Sequence, residues 1–253
     1  MILQFMDCSV AEIPLRLCSI IPEGISFFEQ FLSRLALAYL GAMADSLYYF
    51  LVYKPYGMLS QFSPADGHPG LGDLAEFPKD VYPVGRLDHD SEGLLLLTND
   101  KKLNNLLLNP RFAHERTYWA QVDGEVTEEA ITALQKGVSF KAKGKEHKSL
   151  PARAQKLAAP SIPERDPPIR YRANIPTSWL SLSITEGKNR QVRKMTAAVG
   201  FPTLRLVRAA IVDLKIGGMQ AGEVVSLSRK LVYAKLKLSD QPQQGFRSRR
   251  RSR

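Results

Sequence analysis

Cysteine is almost missing from this chain: Cys8 and Cys18 are the whole complement, both within the first twenty residues. Two thiols so placed exclude a disulfide framework and any cysteine-rich metal spacing, and they fit a reducing cytoplasm. Histidine is nearly as scarce. His68, His89, His114 and His147 are scattered and never fall at metal-ligand spacing, so no metal is expected. Long apolar runs are lacking too. Leu35–Ala44, the longest near the start, is too short to span a bilayer, and the region has no basic n-region of a signal peptide. No membrane partner is expected. Finally, acid is in deficit. Lys and Arg number 35 against 25 Asp and Glu, a formal charge of +10 and a pI near 9.6, which points to an anionic partner.

The charge is unevenly spread. Residues 1–42 carry two arginines against four acids, residues 241–253 carry five arginines and no acid, and residues 43–240 keep 28 basic against 21 acidic side chains. Three segments are therefore expected. The first is a faintly acidic extension, 1–42, in which Phe28, Phe31, Leu32, Leu35 and Tyr39 lie at helical spacing. Met43-Ala44-Asp45-Ser46 reads as the natural start of synthesis and of the folded body, 43–240. An apolar fraction of 44% gives that body enough material for a core. The arginine-rich tail, 241–253, has the composition of disorder. No internal repeat is present.

One stretch organises the body. Val81 to Leu87 is apolar and β-prone, Asp88 ends it, a turn of Asp90, Ser91, Glu92 and Gly93 follows, and Leu94 to Leu97 read as a fully buried strand. A carboxylate at such a junction faces a dry wall and would be neutralised unless a cation or hydrogen-bond donors kept it ionised. Asp, Ser and Glu before a turn also serve simply as turn formers.

Around it the pattern is mixed. Leu47–Tyr53 reads as a strand turned by Lys54-Pro55-Tyr56-Gly57, and a short helix is expected near Leu71–Phe77. Lys101–Leu108 reads as a helix stopped by Asn109-Pro110. Tyr118, Ala120 and Val122 alternate along a strand. Thr127 caps a helix with Glu128 and Glu129 in its first turn and Gly137 as its stop. Lys141, Lys143, Lys145 and Lys148 lie on a basic loop or hairpin. Five prolines make 158–178 a long connection. Trp179–Thr185 is a strand, Asn189–Val199 a helix with Val192, Met195, Thr196 and Val199 facing the core, and Leu204–Arg208 and Val224–Leu227 are strands.

The central stretch, G-R-L-D-x-D-S-E-G-L-L-L-L-T-N-D, resembles the active-site motif of the ribosomal RNA pseudouridine synthases of the RsuA family. The resemblance extends from about Leu47 to Leu227. Glu186-Gly187-Lys188-Asn189-Arg190-Gln191-Val192-Arg193-Lys194-Met195 is similar to that family's E-G-x-x-x-Q-V-R-x-M, and Arg116-Thr117-Tyr118 to its K-x-Y, with arginine in place of lysine. Lys54-Pro55-Tyr56-Gly57 matches its K-P-x-G, although Tyr53 stands where asparagine is usual. Ile175-Pro176-Thr177-Ser178-Trp179-Leu180 and Gly200-Phe201-Pro202-Thr203-Leu204-Arg205-Leu206 look most like a member that acts on large-subunit (23S) rRNA.

The resemblance implies an α+β fold: a mixed, largely antiparallel sheet with flanking helices. Residues 1–42 are too few and too acidic for the S4 RNA-binding domain that members often carry. It implies isomerisation of a uridine in rRNA to pseudouridine, with Asp88 as catalytic nucleophile, Arg193 as its bidentate guanidinium partner, and Tyr118 stacked on the extruded uracil. Arg86, Lys54 and Arg190 would contact substrate phosphates. The N1–C1′ bond is cleaved either by attack of Asp88 on C1′ or by abstraction of the C2′ proton to give a glycal. The base then rotates and C5 bonds to C1′. No cofactor is implied, and a monomer is expected. Two other readings use the same residues: a catalytically silent RNA-binding assembly factor, and a hydrolase pairing Asp88 with Asp90 or Glu92.

Overall fold

In a computed structural model of the chain, residues 46–142, 144–169 and 176–239 are described. The extension 1–42 with its helical spacing and start at Met43, Lys143, part of the proline-rich connection, and the 241–253 tail lie outside them. The chain divides after Ser46, and the fold is that of the unit from Leu47 onward.

The described strands are β1 (Tyr49–Lys54), β2 (Tyr82–Pro83), β3 (Glu92–Thr98), β4 (Arg116–Asp123), β5 (Ser139–Ala142), β6 (Lys145–Lys148), β7 (Arg153–Leu157), β8 (Thr177–Ile184), β9 (Thr203–Ile211), β10 (Leu214–Lys215) and β11 (Val224–Ser226). The helices are α1 (Lys101–Leu108), α2 (Glu128–Lys136), α3 (Gln191–Ala198) and α4 (Arg229–Lys235). The main sheet runs β11-β1-β3-β9-β4-β8-β7, with β2 beside β3 and β10 beside β9, and β5–β6 form a separate hairpin. Every pairing in it is antiparallel except β3–β9. This is the expected α+β class with a mixed, largely antiparallel sheet.

β3 is buried along its whole length, as four consecutive leucines require. Its period of two divides them between two cores. Leu94 and Leu96 pack with Tyr49, with Leu103 and Leu107 of α1, and with Val232 and Tyr233 of α4. Leu95 and Leu97 pack with Val52, Met58, Leu71 and Val81. The far half of the sheet has its own core, in which Ala120, Val122, Leu180 and Leu182 meet Ile131 and Leu134 of α2 and Val192 and Met195 of α3. The cap at Thr127 forms as its hydroxyl accepts the Ala130 amide. The lysine-rich segment is the β5–β6 hairpin, with Phe140 and Ala142 buried and Lys141, Lys145 and Lys148 exposed.

Several elements differ from expectation. Val81–Leu87 is not a continuous strand: Tyr82 and Pro83 pair with β3, the Val84 amide adds one bond to the Leu96 carbonyl, and the pairing stops there. Pro83 has no amide to donate, and Gly85 turns the chain at φ +78°. Asp88 therefore sits on a loop rather than at a strand end. The helix near Leu71–Phe77 shrinks to one 3-10 turn, Leu71–Asp73. Neither β7 nor α4 was expected. β7 is polar, with Ala154 its one fully buried residue, and α4 buries only Val232 and Tyr233. Among the described residues no helix is long and apolar enough to cross a membrane.

Asp100, the last residue of the central motif, joins these pieces. It caps α1 by accepting the Leu103 amide at 3.0 Å, and its other oxygen accepts the Tyr49 and Tyr233 hydroxyls, both at 2.7 Å. Burial pushes its carboxyl pKa up, but the Tyr233 hydroxyl, the Leu103 amide and the Tyr49 hydroxyl outweigh burial and hold it below the usual range. A depressed folded pKa contributes stability above the unfolded carboxyl's pKa that is lost as pH falls through the folded value. Asp100→Asn should thus cost about 2 kcal/mol at neutral pH. In denaturant titrations the gap between the two proteins should narrow below about pH 4. A gap independent of pH would assign the loss to shape alone.

Candidate active site

The stretch from Leu87 to Asp90 has its backbone held at every residue. The Ser60 hydroxyl accepts the Leu87 amide at 3.0 Å and donates to the Leu87 carbonyl at 2.8 Å. The Asp88 carbonyl accepts the Ser91 amide. The His89 carbonyl accepts the Gly57 amide at 2.8 Å and lies 3.4 Å from Lys54 Nζ. The Asp90 carbonyl accepts Arg193 Nη2 at 2.7 Å. With the main chain so occupied, the Asp88 side chain is left to face a cleft of about 640 Å³, lined among others by Arg86, Tyr118, Arg190 and Arg208.

The carboxylates of the motif have separate fates. Asp90 forms a bidentate pair with Arg190, at 2.9 and 2.7 Å, and its Oδ2 lies 3.4 Å from Arg193 Nε. Burial raises the Asp90 pKa, but the hydrogen bonds of Arg190 and the charge of Arg193 outweigh it and hold the carboxyl below its usual range. Glu92 is buried in a bidentate pair with Arg205, at 2.9 and 2.7 Å. Asp88 keeps 40% of its side-chain surface, and among the described residues its nearest guanidinium is Arg190, at 3.8 Å.

The expected pairing of Arg193 with Asp88 is thus not formed. Arg193 lies one turn into α3, where its Nη groups are taken by the carbonyls of Asp90 and Thr203. Arg190 caps α3 in the left-handed region at φ +51°, and this bend carries its side chain to Asp90. Asp90, expected to serve only the turn, is the charge that both arginines grip. Lys54, expected at a phosphate, is fully buried and donates to the Pro55 and Met58 carbonyls at 2.8 and 2.7 Å. Arg190 is engaged with Asp90 rather than free for phosphate. Arg86 is exposed on the cleft wall, and Tyr118 is half-buried within it. Arg116 donates to the Leu107 carbonyl at 3.0 Å.

Two participants escaped sequence reasoning. Ser60 carries no signal in the sequence. Arg208 did carry one: it is an arginine inside the otherwise apolar run Leu206–Ile211, and it proves to be 3% exposed beside Tyr118.

A pinned loop presenting one carboxylate to a basic cleft, beside a tyrosine ring, defines an enzyme that works on a polyanion. The sheet agrees. A solved structure, described as a pseudouridylate synthase, superposes with a TM-score of 0.62 at 26% identity, covering 76% of this chain and 74% of its own. The family model described as RNA pseudouridylate synthase matches residues 48–198. The chain is 51% identical over 170 residues to ribosomal large subunit pseudouridine synthase E of Vibrio parahaemolyticus, covering 67% of this chain and 69% of the relative. The protein of the same description from Xanthomonas axonopodis pv. citri is 51% identical, with 67% and 88% covered. Synthase B of Bacillus subtilis is 34% identical, with 78% and 75% covered. The chain belongs to the RNA pseudouridylate synthase family and is an isomerase.

The geometry carries two predictions. Asp90→Asn removes the charge that anchors α3 to the loop, so pseudouridine formation should fall about 10²-fold, the loss typical of an ångström-scale displacement. A near-wild-type rate in single-turnover assays would reduce Asp90 to a turn former. The second concerns Lys54. Burial lowers its pKa to about 7, against the pull of Glu92 and Asp90. Between pH 7 and 10.5 the unfolded chain then holds a proton that the folded one has released, so stability rises with pH. Relative to Lys54→Met, wild-type stability in urea should climb across that window; a flat difference would mean the buried amine stays charged.

Proposed function

We propose that this isomerase converts a uridine of large-subunit (23S) ribosomal RNA to pseudouridine, as a cytoplasmic monomer, with Asp88 as its nucleophile. The observation that carries the assignment is the division of labour among Asp88, Asp90 and Glu92: among the described residues Asp90 and Glu92 each have a bidentate arginine, whereas Asp88 has none and lines the cleft. The named activity of the two relatives at 51% identity supports the choice of large-subunit RNA.

The target nucleotide is extruded into the cleft at a cost of a few kcal/mol, offset by stacking and by attraction of the phosphates. Tyr118 offers its ring to the uracil, and Arg86 grips the backbone at the mouth. Asp88 is oriented through its own main chain, with the Arg190 guanidinium 3.8 Å from its carboxylate. Its carboxylate attacks C1′ or takes the C2′ proton, the N1–C1′ bond breaks, and C5 replaces N1 at the sugar. Arg193 acts one layer back, by fixing the Asp90 carbonyl. The hydrolase alternative needs a second carboxylate beside Asp88, and both candidates are committed to arginines. Residues 43–240 form the catalytic body in this reading, and the five arginines of 241–253 add sequence-independent attraction to RNA.

Asp88→Asn, nearly isosteric, should abolish product while leaving RNA affinity within about fivefold, since phosphate contacts dominate binding. The check is pseudouridine mapping of 23S rRNA from cells lacking the gene and complemented with either form, together with filter binding in vitro. Turnover by Asp88→Asn would remove the assignment, and release of free uracil by the wild type would favour the hydrolase.

A further inference from the structure

Arg208 sits on β9 directly across the β4 pairing from Tyr118, and both line the cleft that Asp88 faces. Its guanidinium is in an unusual position. It is 3% exposed, its Nε donates to the Leu94 carbonyl at 2.7 Å, and its Nη2 has no hydrogen-bond partner. Among the described residues no carboxylate lies within ion-pair distance of it, whereas the equally buried Arg205 three residues earlier has Glu92. The Tyr118 phenol is the neighbouring acidic group that acts on its charge. A buried cation without a counter-ion is costly, and such groups concentrate where negative charge develops during a reaction.

We infer that Arg208 is a positioning residue that supports, through Tyr118, the negative charge on the uracil as it leaves the sugar. The inference rests on the reading of the cleft as the pseudouridine-forming site. In that reaction the C1′–N1 bond breaks and its electron pair stays with the base. C1′ gains a bond to an Asp88 oxygen, or C2′ gives its proton to Asp88 in the glycal route. The detached uracil is then an anion until C5 bonds to C1′ and the C5 proton departs. Between those events the base lies against Tyr118. A guanidinium held by the Leu94 carbonyl beside Tyr118 lowers the energy of the anion and needs no rearrangement to do so.

The experiment varies the leaving group. One large-subunit rRNA transcript is made with uridine and again with 5-fluorouridine, whose base departs more readily as an anion. The full-length wild type, Arg208→Met and Arg208→Lys are compared at saturating enzyme by single-turnover consumption of the target nucleoside, read by nucleoside mass spectrometry, since 5-fluorouracil has no C5 proton to lose and its rearranged form ends as the C6 hydrate; RNA affinity is measured in parallel. Arg208→Met should lose about 10²–10³-fold with uridine, the range found when a donor to developing charge is removed. It should lose roughly tenfold less with 5-fluorouridine, because that base needs less help. Affinity should be unchanged within a few-fold. Arg208→Lys should lose less than Arg208→Met and show the same dependence on the base; if Arg208→Met does not fold, this variant carries the comparison. Equal losses on the two RNAs, or a loss seen only in affinity, would make Arg208 a structural residue and overturn the inference. Absence of isomerisation by the wild type would instead overturn the reading on which it rests.

Discussion

The Asp90 carboxylate, gripped by Arg190 and approached by Arg193, is the constraint on which the site depends. It joins residues a hundred positions apart in sequence: a loop leading into β3 and the first turn of α3. The loop belongs to the half of the sheet cored by Leu94–Leu97, and the helix packs on the half cored by Leu180 and Leu182. Loop closure over such a distance carries an entropic cost that grows only slowly with length. A single ion pair, partly buried and reinforced by the Arg193 bond to the Asp90 carbonyl, can therefore hold the two halves in register at the cleft. Losing either side would leave charge stranded in a poorly solvated place.

A second close approach works with it. β3 and β9 run parallel and meet at Gly93 and Arg208. A Cβ on Gly93 would lie 2.5 Å from the Arg208 carbonyl oxygen, and its φ of +101° suits glycine alone. The motif glycine is thus required by backbone contact rather than by chemistry. That contact brings Asp88, five residues before Gly93, to the same cleft as Tyr118, which β4 carries opposite Arg208. Sheet topology, more than any side chain, makes the three neighbours.

Much of this was legible in the sequence. The fully buried strand at Leu94–Leu97, the Thr127 cap and the Asn109-Pro110 stop are local, and local rules found them. Family resemblance located Asp88, Tyr118 and the α3 arginines. What escaped was the assignment of partners. Arg190 and Arg193 are one turn apart, Asp88 and Asp90 two residues apart, and spacing cannot decide which guanidinium meets which carboxylate. The left-handed conformation of Arg190 decides it, and a non-glycine residue gives no sign of such a φ. Lys54 was misplaced for a related reason. A lysine beside a turn reads as a surface charge, and only the three-dimensional neighbourhood of three carbonyls takes it inside. α4 is too short and too polar in pattern to announce itself; Tyr233 earns its burial through Asp100.

The distribution of charge in the finished structure has a direction. Lys54 and Arg208 are both buried with carbonyl oxygens as their hydrogen-bond acceptors, while Asp90 and Glu92 are matched by arginines. Arg208 therefore stands as a buried positive charge beside the cleft into which Asp88 turns its half-exposed carboxylate. In the proposed reaction Asp88 needs an oxygen clear of any bidentate partner, since such a partner would occupy the atom that must attack. The arginines that line the cleft, Arg86, Arg190 and Arg208, favour the approach of a phosphate backbone. In the proposed reaction the same fixed charges would also favour the departure of an anionic base, so that one arrangement would serve both binding and bond cleavage.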